Sequence, residues 1–82
     1  MFLEIKLISR EISELMWKDC ITLSTAESCT AGNLAAAITA IPGSSHYYKG
    51  GVVAYANQVK ENLLRVNTKT IDEYGVVSEE TV

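Results

Sequence analysis

The stretch Thr25-Ala26-Glu27-Ser28-Cys29-Thr30-Ala31-Gly32 decides the fold, because it carries the chain out of an extended segment and into a helix. Just before it, Ile21 to Ala26 alternates apolar residues with Thr22, Ser24 and Thr25 and is too short for a helix, so it reads as a strand ending at Glu27. Just after it, Ala31 to Ala40 is rich in alanine and apolar on nearly every side, the pattern of a closely packed, largely buried helix.

Further out, Leu3, Leu7, Ile8, Ile12, Leu15 and Met16 recur at spacings of three and four, which predicts an amphipathic helix from Phe2 to Trp17 with Trp17 as a core anchor. Pro42 and Gly43 break the chain, Ser44 and Ser45 follow in a loop, and Gly51 to Ala56 reads as a second buried strand. Asn57 is a good N-cap for a helix from Gln58 to about Arg65, and Thr68 or Thr70 opens a shorter turn that Gly75 closes. Ser78, with Glu79 and Glu80 behind it, has the composition of a further helix start. One turn of helix is not stable alone, so the reading expects residues 1–82 to be the first part of a larger domain or to be completed by another chain.

Eighty-two residues, 48% of them hydrophobic, hold one small domain rather than a disordered tail. Seven basic against ten acidic residues give a net charge of −3 with no cationic cluster, which argues against nucleic acid as a partner. No apolar run approaches membrane-spanning length, and Glu4 and Lys6 interrupt any signal-like segment, so no membrane is expected and the location is read as cytoplasmic. Cys20 and Cys29 form no CxxC pair and read as free thiols of a reducing compartment. One His and two Cys are a poor metal inventory, so neither metal nor cofactor is expected.

A strand, then Glu27-Ser28-Cys29-Thr30, then a helix with Ala31 and Gly32 in its first turn presents a hydroxyl beside free backbone N–H groups. Helix N-termini hold unsatisfied donors and partial positive charge, suited to a phosphate or a developing oxyanion. Ser28 is thus placed as a nucleophile, although a Ser ahead of a helix is also an ordinary cap. The second junction is Tyr55-Ala56-Asn57-Gln58-Val59-Lys60, with Lys60 in the first turn of the next helix. A cation there opposes the helix dipole and burial adds desolvation; both favour a neutral amine able to act as a base. In a parallel sheet the two strand ends share one edge, where α/β sites form. Cys29 reads as a small packed thiol, with a nucleophile beside Ser28 as the less favoured alternative, and His46 as a surface residue. Tyr47 and Tyr48 read as core aromatics or as a stacking surface, and Glu27 as an orienter of Thr30 or Lys60, or as a solvated charge.

Four strings resemble, in order and spacing, the signatures of the CinA C-terminal family, also called PncC. They are residues 25–32, Ile41-Pro42-Gly43-Ser44-Ser45, Gly50-Gly51-Val52-Val53-Ala54-Tyr55-Ala56-Asn57 with Lys60, and Gly75-Val76-Val77-Ser78-Glu79-Glu80. The resemblance covers residues 3–82, with Ala31 standing where the family often has glycine. It implies a three-layer α/β/α fold with a mostly parallel sheet, truncated here to the N-terminal half of the domain and expected to associate with further copies. It also implies hydrolysis of the amide of nicotinamide mononucleotide, a small-molecule substrate, to nicotinic acid mononucleotide and ammonia. On this resemblance Ser28 is the nucleophile, Lys60 its base, and Tyr55 lies beside them. Cys29, Thr30, Gly32 and Asn57 are assigned to substrate binding, with Ser44 and Ser45 as a phosphate loop. The alternative is a catalytically inactive, truncated member acting as an interaction module.

Overall fold

The computed structural model describes residues 2–82, Phe2 by its backbone alone. Six regular elements follow one another: α1 (Phe2–Asp19), β1 (Leu23–Glu27), α2 (Asn33–Thr39), β2 (Tyr48–Val53), α3 (Asn57–Asn62) and α4 (Thr68–Tyr74), with a 3₁₀ turn at Ser44–His46 ahead of β2. β1 and β2 pair in parallel with α2 in the crossover between them. Parallel neighbours cannot be joined by a tight hairpin, and the long connection over residues 28–47 supplies the crossover such a pair needs. Two parallel strands with helices around them are the truncated α/β arrangement that the sequence predicts.

The amphipathic first segment forms α1. Cys20 then takes a left-handed conformation (φ 55°), and the amide of Ile21 donates back to Met16 O at 3.3 Å, a Schellman-type stop. The face of α1 that is buried carries small residues, Ser9 and Ser13, and α1 lies against the alanine-rich α2, where small side chains allow close approach. The larger apolar residues Leu3, Leu7, Ile8 and Leu15 are exposed. Trp17 is no core anchor: half exposed, it leans on the ring of His46, with centroids 4.3 Å apart.

The second strand lies three residues earlier than the Gly51–Ala56 expected, because pairing with β1 sets its limits. Tyr48 is level with Leu23 and Val53 with Glu27, with an irregularity between Leu23 and Ser24 where Gly50, at φ 144°, supplies the backbone freedom. Gly51 sits opposite Thr25, and a Cβ there would run into Thr25 Oγ1 and Tyr48 Oη, which are themselves hydrogen-bonded at 2.7 Å. Ile38, Tyr47, Ala54 and Ile71 are the buried hydrophobic residues among those described.

Candidate functional site

The parallel register brings the ends of β1 and β2 to one edge of the sheet, and the amide of Ala54 donates to Glu27 O at 2.7 Å just beyond it. The segments that leave the two strands are therefore neighbours. From β1 the chain makes a turn over residues 28–32, closed by Ala31 N to Ser28 O at 3.0 Å and Asn33 N to Thr30 O at 2.9 Å. α2 starts at Asn33 rather than Ala31, because Ala31 (φ 50°) and Gly32 (φ 97°) are both left-handed. Ala31 holds this conformation at a cost of roughly 1–2 kcal/mol, which a glycine would not incur.

The donors at the start of α2, which the sequence presents as free, are already occupied. Glu27, 5% exposed, turns its carboxylate onto them: Oε1 accepts from Leu34 N at 2.8 Å and from Thr30 Oγ1 at 2.7 Å, and Oε2 from Ala35 N at 3.0 Å. Burial alone raises the pKa of a carboxyl, but here the bonds from Thr30, Leu34, Ala35 and Gly32 outweigh it and hold Glu27 below the ordinary carboxylate range. Of the roles open to Glu27 in the sequence, orienting Thr30 is the one observed. Its closed fork with the helix start has a faint sequence signal in the three-residue spacing of Glu27 and Thr30. The Cys29 and Thr30 amides, which bond to no protein group among the described residues, are the donors left beside Ser28.

From β2 the chain enters α3, where Ala56, extended at φ −83° and ψ 146°, is the N-cap and Asn57 the first helical residue. Asn57 therefore makes no side-chain cap. α3 stops at Asn62, short of Arg65, whose φ of 59° is left-handed. Lys60, its fourth residue, is 6% exposed, and its Nζ donates to Tyr55 O at 3.1 Å. Ser28, Lys60 and Glu27 line one cleft of about 370 Å³, with Ala54 on its floor and Leu64, Val66, Val76 and Thr81 in its wall. On its other side Ser28 borders a second, more apolar cleft of about 620 Å³ with Cys29, Val76, Val77 and Val82. The valine wall comes from the returning segment after α4, and no local pattern in the sequence signals that return.

The other candidates divide. Cys29 is exposed rather than packed and lines the more apolar cleft. Thr30 has its hydroxyl occupied by Glu27, and Gly32 forms the left-handed entry to α2. Tyr55 is 72% exposed and lines neither cleft; its backbone carbonyl accepts from Lys60 Nζ. Ser44 and Ser45 precede β2 and so sit at the opposite edge of the sheet, about 20 Å away at 3.3 Å per strand residue, and buried Ser44 directs its hydroxyl to Thr39 O at 3.4 Å. Among the described residues no group of three or more His, Cys, Asp or Glu is gathered as a metal site, and no helix is long and apolar enough to cross a membrane.

Comparison with known proteins places this geometry. The family model described as the CinA C-terminal domain matches residues 5–82. The CinA-like protein of Petrotoga mobilis is 43% identical over 81 residues, 99% of this chain and 20% of that protein. That of Endomicrobium trichonymphae is 59% identical over 61 residues, 74% of this chain and 14% of its own length. Among solved structures, the competence damage-inducible protein A (ComA) of Klebsiella pneumoniae superposes with a TM-score of 0.92 at 36% identity, covering 95% of this chain and 48% of that one. The competence/damage inducible protein CihA of Agrobacterium tumefaciens gives 0.91 at 40% identity, covering 94% and 47%. The chain thus spans about half the length of these solved structures, and 17% of a curated relative 56% identical to it.

Proposed function

The chain belongs to the CinA C-terminal domain family, and from that premise we propose that it carries the nucleophile-bearing half of an amidohydrolase acting on nicotinamide mononucleotide. The observation that carries the reading is the shared cleft: a serine leaving one parallel strand and a buried lysine entering the helix after the other line the same hollow. In the reaction Ser28 Oγ attacks the carboxamide carbon while its proton passes to Lys60 Nζ, and the carbonyl oxygen becomes an oxyanion facing the Cys29 and Thr30 amides. Collapse expels ammonia, which takes the proton from Lys60, and water then hydrolyses the acyl ester to the carboxylate and regenerates Ser28. The cleft on the apolar side of Ser28 has room for the pyridine ring. The reading keeps the chemistry in a reducing, cytoplasmic compartment, in line with the free thiols Cys20 and Cys29.

The test is ammonia release from nicotinamide mononucleotide by a complete domain containing this sequence. Ser28→Ala and Lys60→Ala should each remove most of the rate, about 100-fold or more, and the double variant should fall no further than the worse single one. Activity retained in Ser28→Ala would transfer the nucleophile to Cys29, its exposed neighbour. A second reading, a non-catalytic module that binds another chain, is favoured by the many exposed apolar side chains of α1. Tight association combined with no ammonia release would select it.

A further inference from the structure

We infer that Glu27 is the positioning residue of this site: by holding the Thr30 hydroxyl and the first amides of α2 with one carboxylate, it fixes the turn that presents Ser28. The inference rests on the reading of Ser28 as the nucleophile. Glu27 is the last residue of β1, and its carbonyl is tied by Ala54 to the segment that leads to Lys60. Its side chain reaches over the turn to Leu34 and Ala35. The residue therefore joins the strand, the helix behind Ser28 and the approach to the base.

The turn needs such a clamp. It has two consecutive left-handed residues, Ala31 and Gly32, and only short-range backbone bonds of its own. Thr30 Oγ1 is its side-chain anchor, and that anchor ends on Glu27 Oε1. A carboxylate is the group the geometry requires, since all of its partners are donors. A glutamine would keep one acceptor oxygen and set an NH₂ against an amide. Glu27 touches no reacting atom in this arrangement; it acts through the position of Ser28 and of the Cys29 and Thr30 amides.

Capping α2 and holding the turn are separable, because Thr30→Val cuts the tie to the turn and leaves the bonds to Leu34 and Ala35 in place. Amide hydrogen exchange on the ¹⁵N-labelled chain reads both. Thr30→Val should speed exchange at Ala31 and Asn33 about 10-fold while Leu34 and Ala35 stay within about 2-fold of the parent; Glu27→Gln should speed all four. In a Cys20→Ser background, the rate at which Cys29 reacts with an aromatic disulfide should change several-fold in both variants. In the ammonia assay, Thr30→Val should lower kcat at least about 10-fold with KM within about 3-fold. If Thr30→Val leaves turn exchange and thiol rate at parental values, Glu27 is a helix cap alone and the inference fails. Should Glu27→Gln not fold, Thr30→Val carries the test by itself. A complete domain containing this sequence that releases no ammonia overturns the amidase reading, while exchange and thiol rates still decide whether Glu27 sets the turn.

Discussion

At position 27 a buried carboxylate is closed in by the Thr30 hydroxyl and the Leu34 and Ala35 amides, which hold its pKa below the ordinary carboxylate range. Because the folded pKa of Glu27 is depressed, its contribution to stability is complete above the ordinary glutamate value of about 4.3 and is lost as pH falls through the lower, folded value. Thermal midpoints should therefore be flat from about pH 7 to 5.5 and drop in the acid range. Glu27→Gln should be less stable at neutral pH and should flatten the acid limb. Two other positions allow equally direct expectations. Gly51→Ala pushes a methyl group into the Thr25–Tyr48 hydrogen bond and should cost about 1–3 kcal/mol, read as a lower denaturant midpoint. Tyr47 is 2% exposed with its hydroxyl unpartnered, so Tyr47→Phe should be neutral or gain up to about 1 kcal/mol in the same experiment. The placement of Ser28 and Lys60 just after the two parallel strands was legible in the sequence, because a strand-to-helix junction is a local pattern. The burial of Glu27 was not, because it depends on two left-handed residues delaying α2 until its amides reach back to the strand end.

Among the elements, the order of strands and helices followed from periodicity and breakers, and the parallel pairing followed from a helix lying between two strands. The limits of β2 did not, since a Gly-Gly pair argues against a strand until Thr25 and Tyr48 are known to flank it. The helix caps lie ahead of the residues expected. Asn67, rather than Thr68 or Thr70, caps α4, its side chain accepting from Lys69 N at 2.9 Å, and Gly75 closes that helix at φ 85° as expected. Asn67→Ala should then cost about 1 kcal/mol, measurable as a loss of thermal midpoint with little change in helix content at low temperature. Ser78 does act as a cap in miniature, accepting from Thr81 N at 3.2 Å, but the turn it opens, over residues 79–81, is not a helix. That turn contributes Thr81 to the wall of the Lys60 cleft.

At the scale of the molecule, surface and shape disagree with those of a closed globule. The accessible surface is 6282 Å², about 1,400 Å² more than the roughly 4,900 Å² of a folded monomer of this mass. The radius of gyration is 14.7 Å where a compact chain of this length has about 12 Å. The excess is larger than the roughly 800 Å² that each partner contributes to a standard protein–protein interface, and a two-stranded sheet and the exposed apolar residues of α1 offer surface for one. At micromolar concentration the 82-residue chain should therefore sediment as associated species, with little ammonia release of its own. A monodisperse monomer that unfolds in one cooperative step would contradict this. The contact of Trp17 with His46 makes such events optically visible. The chain has a single indole, and its emission belongs to the joint between α1 and the 3₁₀ turn, on the sheet edge away from Ser28. Fluorescence lifetime and anisotropy can therefore follow docking on that side of the molecule while the proposed ammonia release at the other edge is assayed separately.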